Sequence, residues 1–430
     1  MKGEPLMLEE IVAEREKIDR TDRKLAELFG ERMMTVKRIA ELKSASGKPV
    51  FDPGREKAML EKELEYVDPE MRKYYRRVLS CLLECSKAYQ SEIVSSENTL
   101  TVSVNGGSYN ITVKRGGVEA VGDIFKLDRR VLVVTDSGVP GEYAEAVAAR
   151  CAEPTVITLP EGEKTKSLES FATLEKAMLD GGFDRNDCVA AVGGGVVGDT
   201  AGFAASCYMR GIDFYNVPTT LLSQADSSVG GKTAINFGSV KNPVGSFKQP
   251  SGVLIDTALL STLDKRQLSS GLAECLKSAL IGDPELFDII ENKSVEDNID
   301  EIVLRSLKVK MKIVELDENE NDIRRALNFG HTVGHAVEAQ SGLLHGESVA
   351  LGMLPMVSGE IRERLKKIYE KLGLPTGYDI GGGFSALLSH DKKAKAGSIV
   401  TVRVDKIGEY YFSSMTVGEI EKAAREALGK

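Results

Sequence analysis

The spacing of apolar residues changes near residue 100, and one domain type cannot accommodate both patterns. In the first part, Leu8, Ile11, Val12, Ile18, Leu25, Leu28, Phe29, Met33, Val36, Ile39 and Ala40 recur at threes and fours. That is the period of one long amphipathic helix over residues 8–43. Residues 44–50 break it. Asp52-Pro53 restarts a helix that runs to about Tyr66, with Asp as N-cap and Pro at the first helical position. Asp68-Pro69 opens a third that ends near Ile93. Three helices without a strand predict a small all-α domain over 1–93, followed by a polar linker at 94–99. Short apolar runs then appear at residues 100–104, 131–135, 156–159 and 189–192, with helical stretches between them. Strands alternating with helices predict a parallel sheet in an α/β part over 100–260. From Ser261 the pattern is mainly helical, with a short hairpin at 398–412, so 261–430 is expected as a mainly α-helical part.

Composition narrows the function classes. A chain of 430 residues, 42% apolar and 28% charged, is a soluble globular protein of two or three domains. The net charge of −9 and the lack of a long basic run argue against a nucleic-acid partner. Six cysteines without a C-x-x-C pair read as reduced thiols of a cytoplasmic protein. The first ten residues lack a signal pattern. The most apolar stretch, residues 189–208, contains Asp199 and five glycines and is no membrane span.

Three of the four histidines fall within fifteen residues, as His331, His335 and His345. Neutral imidazole is a common ligand of zinc-like ions, and a catalytic site takes three protein ligands with one position open. His331 and His335 share a helix face at i, i+4. This crowding points to a metal enzyme; two core histidines on a helix are the plainer reading.

The first helix carries Arg15, Arg32 and Lys43 beside its apolar stripe. Helical geometry places Arg32 and Lys43 within roughly 20° of one face and about 16 Å apart, a pair able to grip a small dianion. Arg15 lies about 42 Å along the axis from Lys43, too far to serve that site but placed to serve a second, antiparallel copy. A homodimer with shared pockets follows. From spacing alone, a solvated charged face accounts for the same residues.

Residues 8–92 resemble the small all-helical chorismate mutases, matched by Arg15, Arg32, Lys43, Asp52, Arg55, Glu56, Ser86 and Gln90. The resemblance implies an intertwined dimer that rearranges chorismate to prephenate without covalent catalysis. Arginines would hold the two carboxylates, Lys43 and Gln90 would donate to the ether oxygen, and Asp52 or Glu56 would accept from the hydroxyl.

Residues 100–430 resemble 3-dehydroquinate synthase over nearly their whole length. The match runs through Glu161-Gly162-Glu163-Lys164-Thr165-Lys166, then Gly193-Gly194-Gly195-Val196-Val197-Gly198-Asp199. It continues through Tyr208-Met209-Arg210, Thr219-Thr220, Asp226, Lys232, Lys241-Asn242 and the turn Leu259-Leu260-Ser261-Thr262. The glycine run would let backbone N–H groups approach a pyrophosphate. The family's site implies NAD+ at Glu161–Lys166, Gly195–Asp199, Thr219, Thr220, Lys232, Lys241 and Leu259–Thr262. It implies Glu274, His331 and His345 as ligands of one divalent ion, zinc or cobalt, with His335 catalytic beside a phosphate. Arg210, Asp226, Lys277, Lys310, Arg324 and Asn328 match further catalytic or substrate-contacting positions. Lys392 or Lys393, in a C-terminal basic motif, would reach the substrate. The stretch between His331 and His345 is shorter than is typical of the family.

By that resemblance the substrate is 3-deoxy-D-arabino-heptulosonate 7-phosphate and the products are 3-dehydroquinate and phosphate. The chain would thus serve two non-consecutive steps of the shikimate route to aromatic amino acids, on small-molecule substrates and as a homodimer or higher even oligomer. Other readings are a related sugar-phosphate cyclase, a metal-dependent polyol dehydrogenase, and a helical domain that serves only for regulation or dimerisation.

Overall fold

The computed structural model describes residues 4–45, 59–94, 99–105, 107–238, 240–320, 322–389 and 398–429. The chain divides into two compact units, Met1–Ser108 and Tyr109–Lys430.

In the first unit, α1 (Glu4–Ala45) is one continuous helix, slightly longer at both ends than its apolar pattern. Residues 59–63 are helical and run into a 3-10 turn, Leu64–Tyr66; the expected start at Asp52-Pro53 lies outside the described residues. The helix expected from Asp68-Pro69 begins one turn later, as α2 (Arg72–Val94), because the Asp68 carbonyl first closes a turn with the Met71 N–H at 2.9 Å. Helices α1 and α2 pack together and bury Val36, Ala40 and Leu79. Residues 11–31 of α1 are exposed throughout, and Ile11, Val12, Ile18, Leu25, Leu28 and Phe29 stand 41–60% accessible. Among the described side chains, the stripe that predicted the helix is therefore buried only toward its C-terminal end within this unit. Strand β1 (Thr99–Val104) follows α2.

The second unit contributes β2 (Gly107–Val113), β3 (Arg130–Asp136), β4 (Glu153–Leu159), β5 (Cys188–Gly193), β6 (Asp213–Pro218) and β9 (Gly252–Ile255) to a sheet. They lie in the order β2-β9-β6-β5-β3-β4, and every pairing among them is parallel. Crossover helices α3 (Gly141–Ala148), α4 (Leu168–Asp180) and α5 (Gly195–Cys207) cover the faces. Val131, Val133, Ala190 and Val192 pack on one side with Ala144 and Val147 of α3. Leu132, Val134, Val189 and Ala191 pack on the other with Leu174, Met178, Ala201 and Ala204. Burial on both faces is why these strands read as unbroken apolar runs. The chain steps from β3 outward to β4, then returns past β3 to β5. That reversal opens a crevice at the carboxyl ends of β3 and β5.

A hairpin of β7 (Lys232–Phe237) and β8 (Val240–Phe247) leaves the sheet. The rest is mainly helical: α6 (Lys265–Gly282), α7 (Pro284–Asn292), α8 (Ile299–Leu316), α9 (His331–Gln340), α10 (His345–Met353), α11 (Gly359–Leu372), α12 (Phe384–Ser389) and α13 (Val417–Leu428). The expected C-terminal hairpin is present as β10 (Ser398–Lys406) and β11 (Glu409–Thr416).

Glycine sets the approach of α10 to its neighbours. A Cβ on Gly352 would lie 1.9 Å from the Gly330 carbonyl oxygen, and one on Gly346 would lie 1.9 Å from the Ser270 carbonyl oxygen. Gly352→Ala is expected to cost roughly 1–3 kcal/mol or more by overpacking. At about 2–4 °C per kcal/mol, the second unit's melting temperature should fall by several degrees in scanning calorimetry. An unchanged transition would mean that the helices part without cost.

Candidate active site

Helix α6 is buried from residue 270 to 281 and carries Glu274 and Lys277 one turn apart. Lys277 Nζ lies 2.5 Å from Glu274 Oε2 and 3.6 Å from Asp226 Oδ1. Lys310 of α8 places its Nζ 3.0 Å from the same Asp226 oxygen and donates to the Asp226 carbonyl at 2.5 Å. Two ammonium groups thus alternate with two carboxylates. Burial alone would raise the Asp226 pKa, but Lys277 and Lys310 hold it far below the usual carboxylate range. Burial brings Lys310 down to about 8 against the pull of Asp226.

Helix α9 starts at His331, directly after Gly330 in the left-handed region (φ 78°). His331 Nδ1 lies 3.1 Å from the Phe329 carbonyl, and His331 Nε2 lies 3.8 Å from Glu274 Oε1. His345 opens α10 with Nδ1 3.3 Å from Glu338 Oε2 and Nε2 3.6 Å from Glu274 Oε1. In both rings Nδ1 meets an acceptor, an arrangement that suits a proton on Nδ1 and leaves Nε2, on the side of Glu274, as the atom that would meet an ion. Burial, then the charge of Lys277, keeps the His331 pKa well below its ordinary value. Ligand atoms of Glu274, His331 and His345 all lie within 4.8 Å of one another. His335 is exposed beside them, its ring 5.3 Å from that of His331 and 5.9 Å from that of His345. His335, Glu338 and His345 form a second group of the same compactness.

Around this centre, two carboxylates that the sequence reading left without a role organise the basic candidates. Glu338 Oε1 pairs with Lys241 Nζ at 2.7 Å. Burial would raise the Glu338 pKa, but His345 and Lys241 bring it down to about 2. Glu320 pairs with Lys232 at 2.5 Å and accepts from Asn328 at 2.6 Å. Arg324 is 2% exposed and donates to the carbonyls of Gly230, at 2.9 Å, and Glu318. Arg210 and Asn242 are exposed in left-handed backbone conformations, φ 69° and 53°. No described hydrogen bond joins Arg210 to the other candidates. Lys392, Lys393 and His390 lie outside the described residues.

The glycine run sits at the crevice of the parallel sheet. Gly193 ends β5, and Gly194 is the N-cap of α5. A Cβ on Gly194 would meet Thr220 at 3.0 Å, and one on Gly195 would meet Ser227 at 3.2 Å. The glycines thus bring Thr219-Thr220 and Ser227 against the start of the helix, with Thr219 N–H donating to the Gly193 carbonyl at 3.0 Å. Buried oxygens of Asn216, Ser227 and Ser228 have no hydrogen-bond partner there. Lys166 forms an ion pair with Asp199, and Glu163 accepts from Asn236 of β7 at 2.8 Å. Leu259–Thr262 falls in a 3-10 turn, Thr257–Thr262, capped by the buried Asp256, which also accepts from Gly116 at 2.8 Å. The sequence reading missed Asp136 at the carboxyl end of β3. Its Oδ1 accepts from Gly138 at 2.8 Å, and burial raises its pKa. An acidic residue closing a strand next to a glycine loop is the signal that would have found it.

In the first unit, Arg32 hydrogen-bonds to Ser86 and donates to the Leu82 carbonyl at 3.2 Å. Gln90, one turn beyond Ser86, has a buried Oε1 with no hydrogen-bond partner. Arg15 is exposed on the far half of α1. Asp52, Arg55 and Glu56 lie outside the described residues, and of Lys43 only the helical backbone is described.

Residues 156–270 match the family model for the 3-dehydroquinate synthase N-terminal part, and 271–394 match the C-terminal part. Residues 14–91 match the model for chorismate mutase type II. The 3-dehydroquinate synthase of Streptococcus thermophilus is 40% identical over 350 residues, covering 75% of this chain and 98% of that protein. The enzyme of the same name from Streptococcus sanguinis is 39% identical over 349 residues, with the same coverage. Among solved structures, 2-deoxy-scyllo-inosose synthase complexed with carbaglucose-6-phosphate, NAD+ and Co2+ superposes with a TM-score of 0.69 at 25% identity, over 77% of this chain and 100% of that one. The 2-epi-5-epi-valiolone synthase from Streptomyces hygroscopicus, with NAD+ and Zn2+ bound, gives 0.68 at 30% identity, over 75% and 98%. No described helix is long and apolar enough to cross a membrane. The chain therefore belongs to the 3-dehydroquinate synthase family and carries a chorismate mutase type II segment ahead of it, a bifunctional enzyme of the shikimate pathway.

Proposed function

We propose that the second unit converts 3-deoxy-D-arabino-heptulosonate 7-phosphate to 3-dehydroquinate and phosphate, using NAD+ and one divalent ion. The observation that carries this reading is Glu274 Oε1: it is buried without a hydrogen-bond partner and faced by two imidazole Nε2 atoms at 3.6 and 3.8 Å. Separations of that size suit ligands about 2 Å from a shared ion, and an O/N/N set suits zinc or cobalt. For NAD+, the supporting features are the crevice, the glycines at the start of α5 and the unpartnered oxygens of Asn216, Ser227 and Ser228. Bound there, the ion would supply Lewis acidity to a substrate alcohol and NAD+ a reversible hydride acceptor, the chemistry that loosens a neighbouring phosphate.

The chain's own residues do the rest. Glu274, His331 and His345 form the ion's cage. Asp226, Lys277 and Lys310 set the charge beneath it. Lys232, Lys241 and Asn242 of the hairpin, with the exposed His335 and Arg210, supply cationic and polar groups for a phosphate dianion. His335 is exposed beside the ligand cluster and carries an imidazole, the side chain most often used for general acid–base work. Asp136 fits the ribose hydroxyls of the dinucleotide.

For the first unit, we infer that residues 1–93 rearrange chorismate to prephenate as a dimer. Arg32 and Ser86 already meet, and the exposed stripe of α1 needs a cover. A second, antiparallel copy would cover it and bring its Arg15 to this chain's pocket. The six free cysteines agree with a cytoplasmic, reducing location.

His345→Ala should abolish dehydroquinate formation and lower metal content while mutase activity survives. Metal analysis beside both assays checks this, and full metal retention would remove His345 from the ligand set. His335→Ala should keep about one ion per chain and lose roughly 10²-fold or more in turnover, for a lost acid–base group; loss of the ion instead would exchange the two histidines' roles. Arg15→Ala and Lys43→Ala should each be nearly inactive as mutases. When the two are co-expressed, half of the sites in verified heterodimers should recover. No recovery, or a fully active monomer, rules out the shared pocket.

A further inference from the structure

Helix α9 presents more than its histidines. Glu338 is three residues after His335 and seven after His331, so the three share one face. It is 15% exposed and spends both oxygens on different partners. Oε2 lies 3.3 Å from His345 Nδ1, at the first residue of α10. Oε1 lies 2.7 Å from Lys241 Nζ, on β8 of the hairpin.

We propose that Glu338 is a positioning residue that fixes the tautomer of His345 and the location of Lys241 through a single carboxylate. The inference rests on the metal reading above. A neutral imidazole carries one N–H, and the partner of one nitrogen decides which lone pair the other offers. An ionised carboxylate only accepts, so it draws the proton to Nδ1 and leaves Nε2, 3.6 Å from Glu274 Oε1, as the ligand atom. His331 reaches the same state through the Phe329 carbonyl at 3.1 Å. The two histidines are therefore oriented by different devices, one backbone and one side chain, and only the second can be removed by substitution. Lys241 is 57% exposed on a two-stranded hairpin. Without an anchor its flexible stem would sample many rotamers. Held by Glu338, its ammonium stays beside the metal centre. One residue therefore ties the ion's coordination to the hairpin that carries the phosphate-binding candidates.

The test uses the full-length chain stripped of metal, titrated with Zn2+ against a chromophoric chelator and, separately, loaded with Co2+ for its visible spectrum. Glu338→Ala should weaken Zn2+ about 10- to 100-fold, the range for a lost partner of a ligating histidine. It should also shift the Co2+ bands. Glu338→Gln keeps an acceptor for Nδ1–H but no charge for Lys241. It should recover most of the Zn2+ affinity yet raise KM for the sugar phosphate, with kcat less affected. Wild-type Zn2+ affinity and an unmoved Co2+ spectrum in Glu338→Ala would overturn the proposal. So would metal lost outright in both variants, which would make Glu338 a ligand itself. If Glu338→Ala does not fold, an unchanged KM in Glu338→Gln overturns it. His331→Ala separates the two layers: wild-type metal affinity in that variant would sink the metal reading, whereas loss there with none in Glu338→Ala sinks only the positioning role.

Discussion

A carboxylate in the middle of a buried helix governs the second unit. Removing such a charge from water costs several kcal/mol even after relaxation. Glu274 is 2% exposed, so its surroundings must answer that cost. Lys277 answers on the next turn, and the charge of Lys277 is answered in turn by Asp226, which lies between it and Lys310. Each ion is held by its neighbour and stranded by its neighbour's loss. Helix α6, helix α8 and the turn bearing Asp226 are thereby fixed to one another by charge as well as by packing. The remaining oxygen of Glu274 faces the two imidazoles, which reach it because glycines let α10 approach so closely.

Much of this centre was legible because its residue types are scarce. Three histidines in fifteen residues cannot be lost in a background of four. The glycine run and the strand runs were legible for a related reason: burial on both faces of a parallel sheet leaves unbroken apolar segments. Not every strand was found: β9 is buried at all four of its residues but is short and follows a loop, and β8 is exposed along most of its length and shows no apolar run.

The partners of the basic residues were not legible. Lys241 and Glu338 are 97 positions apart, and Lys232 and Glu320 are 88. No periodicity spans such distances; only the fold joins them. Asp136 was hidden differently. A single acid ending a strand is common, and its meaning depends on β5 lying beside β3 rather than beside β4. In the helical unit the long stripe was read correctly as a helix, but its length says nothing of what covers it.

That stripe gives the first unit a distinctive thermodynamics. Six large apolar side chains along one helix face lie open to water, and a helix in water draws most of its stability from burying such a face. In the dimer proposed above, folding and self-association would become a single equilibrium for this unit, and its free energy of unfolding would depend on how many copies are present. Dilution would then act on it as a denaturant does. The cellular abundance of the chain would become a parameter of its mutase half, set by expression and not by any residue of the pocket.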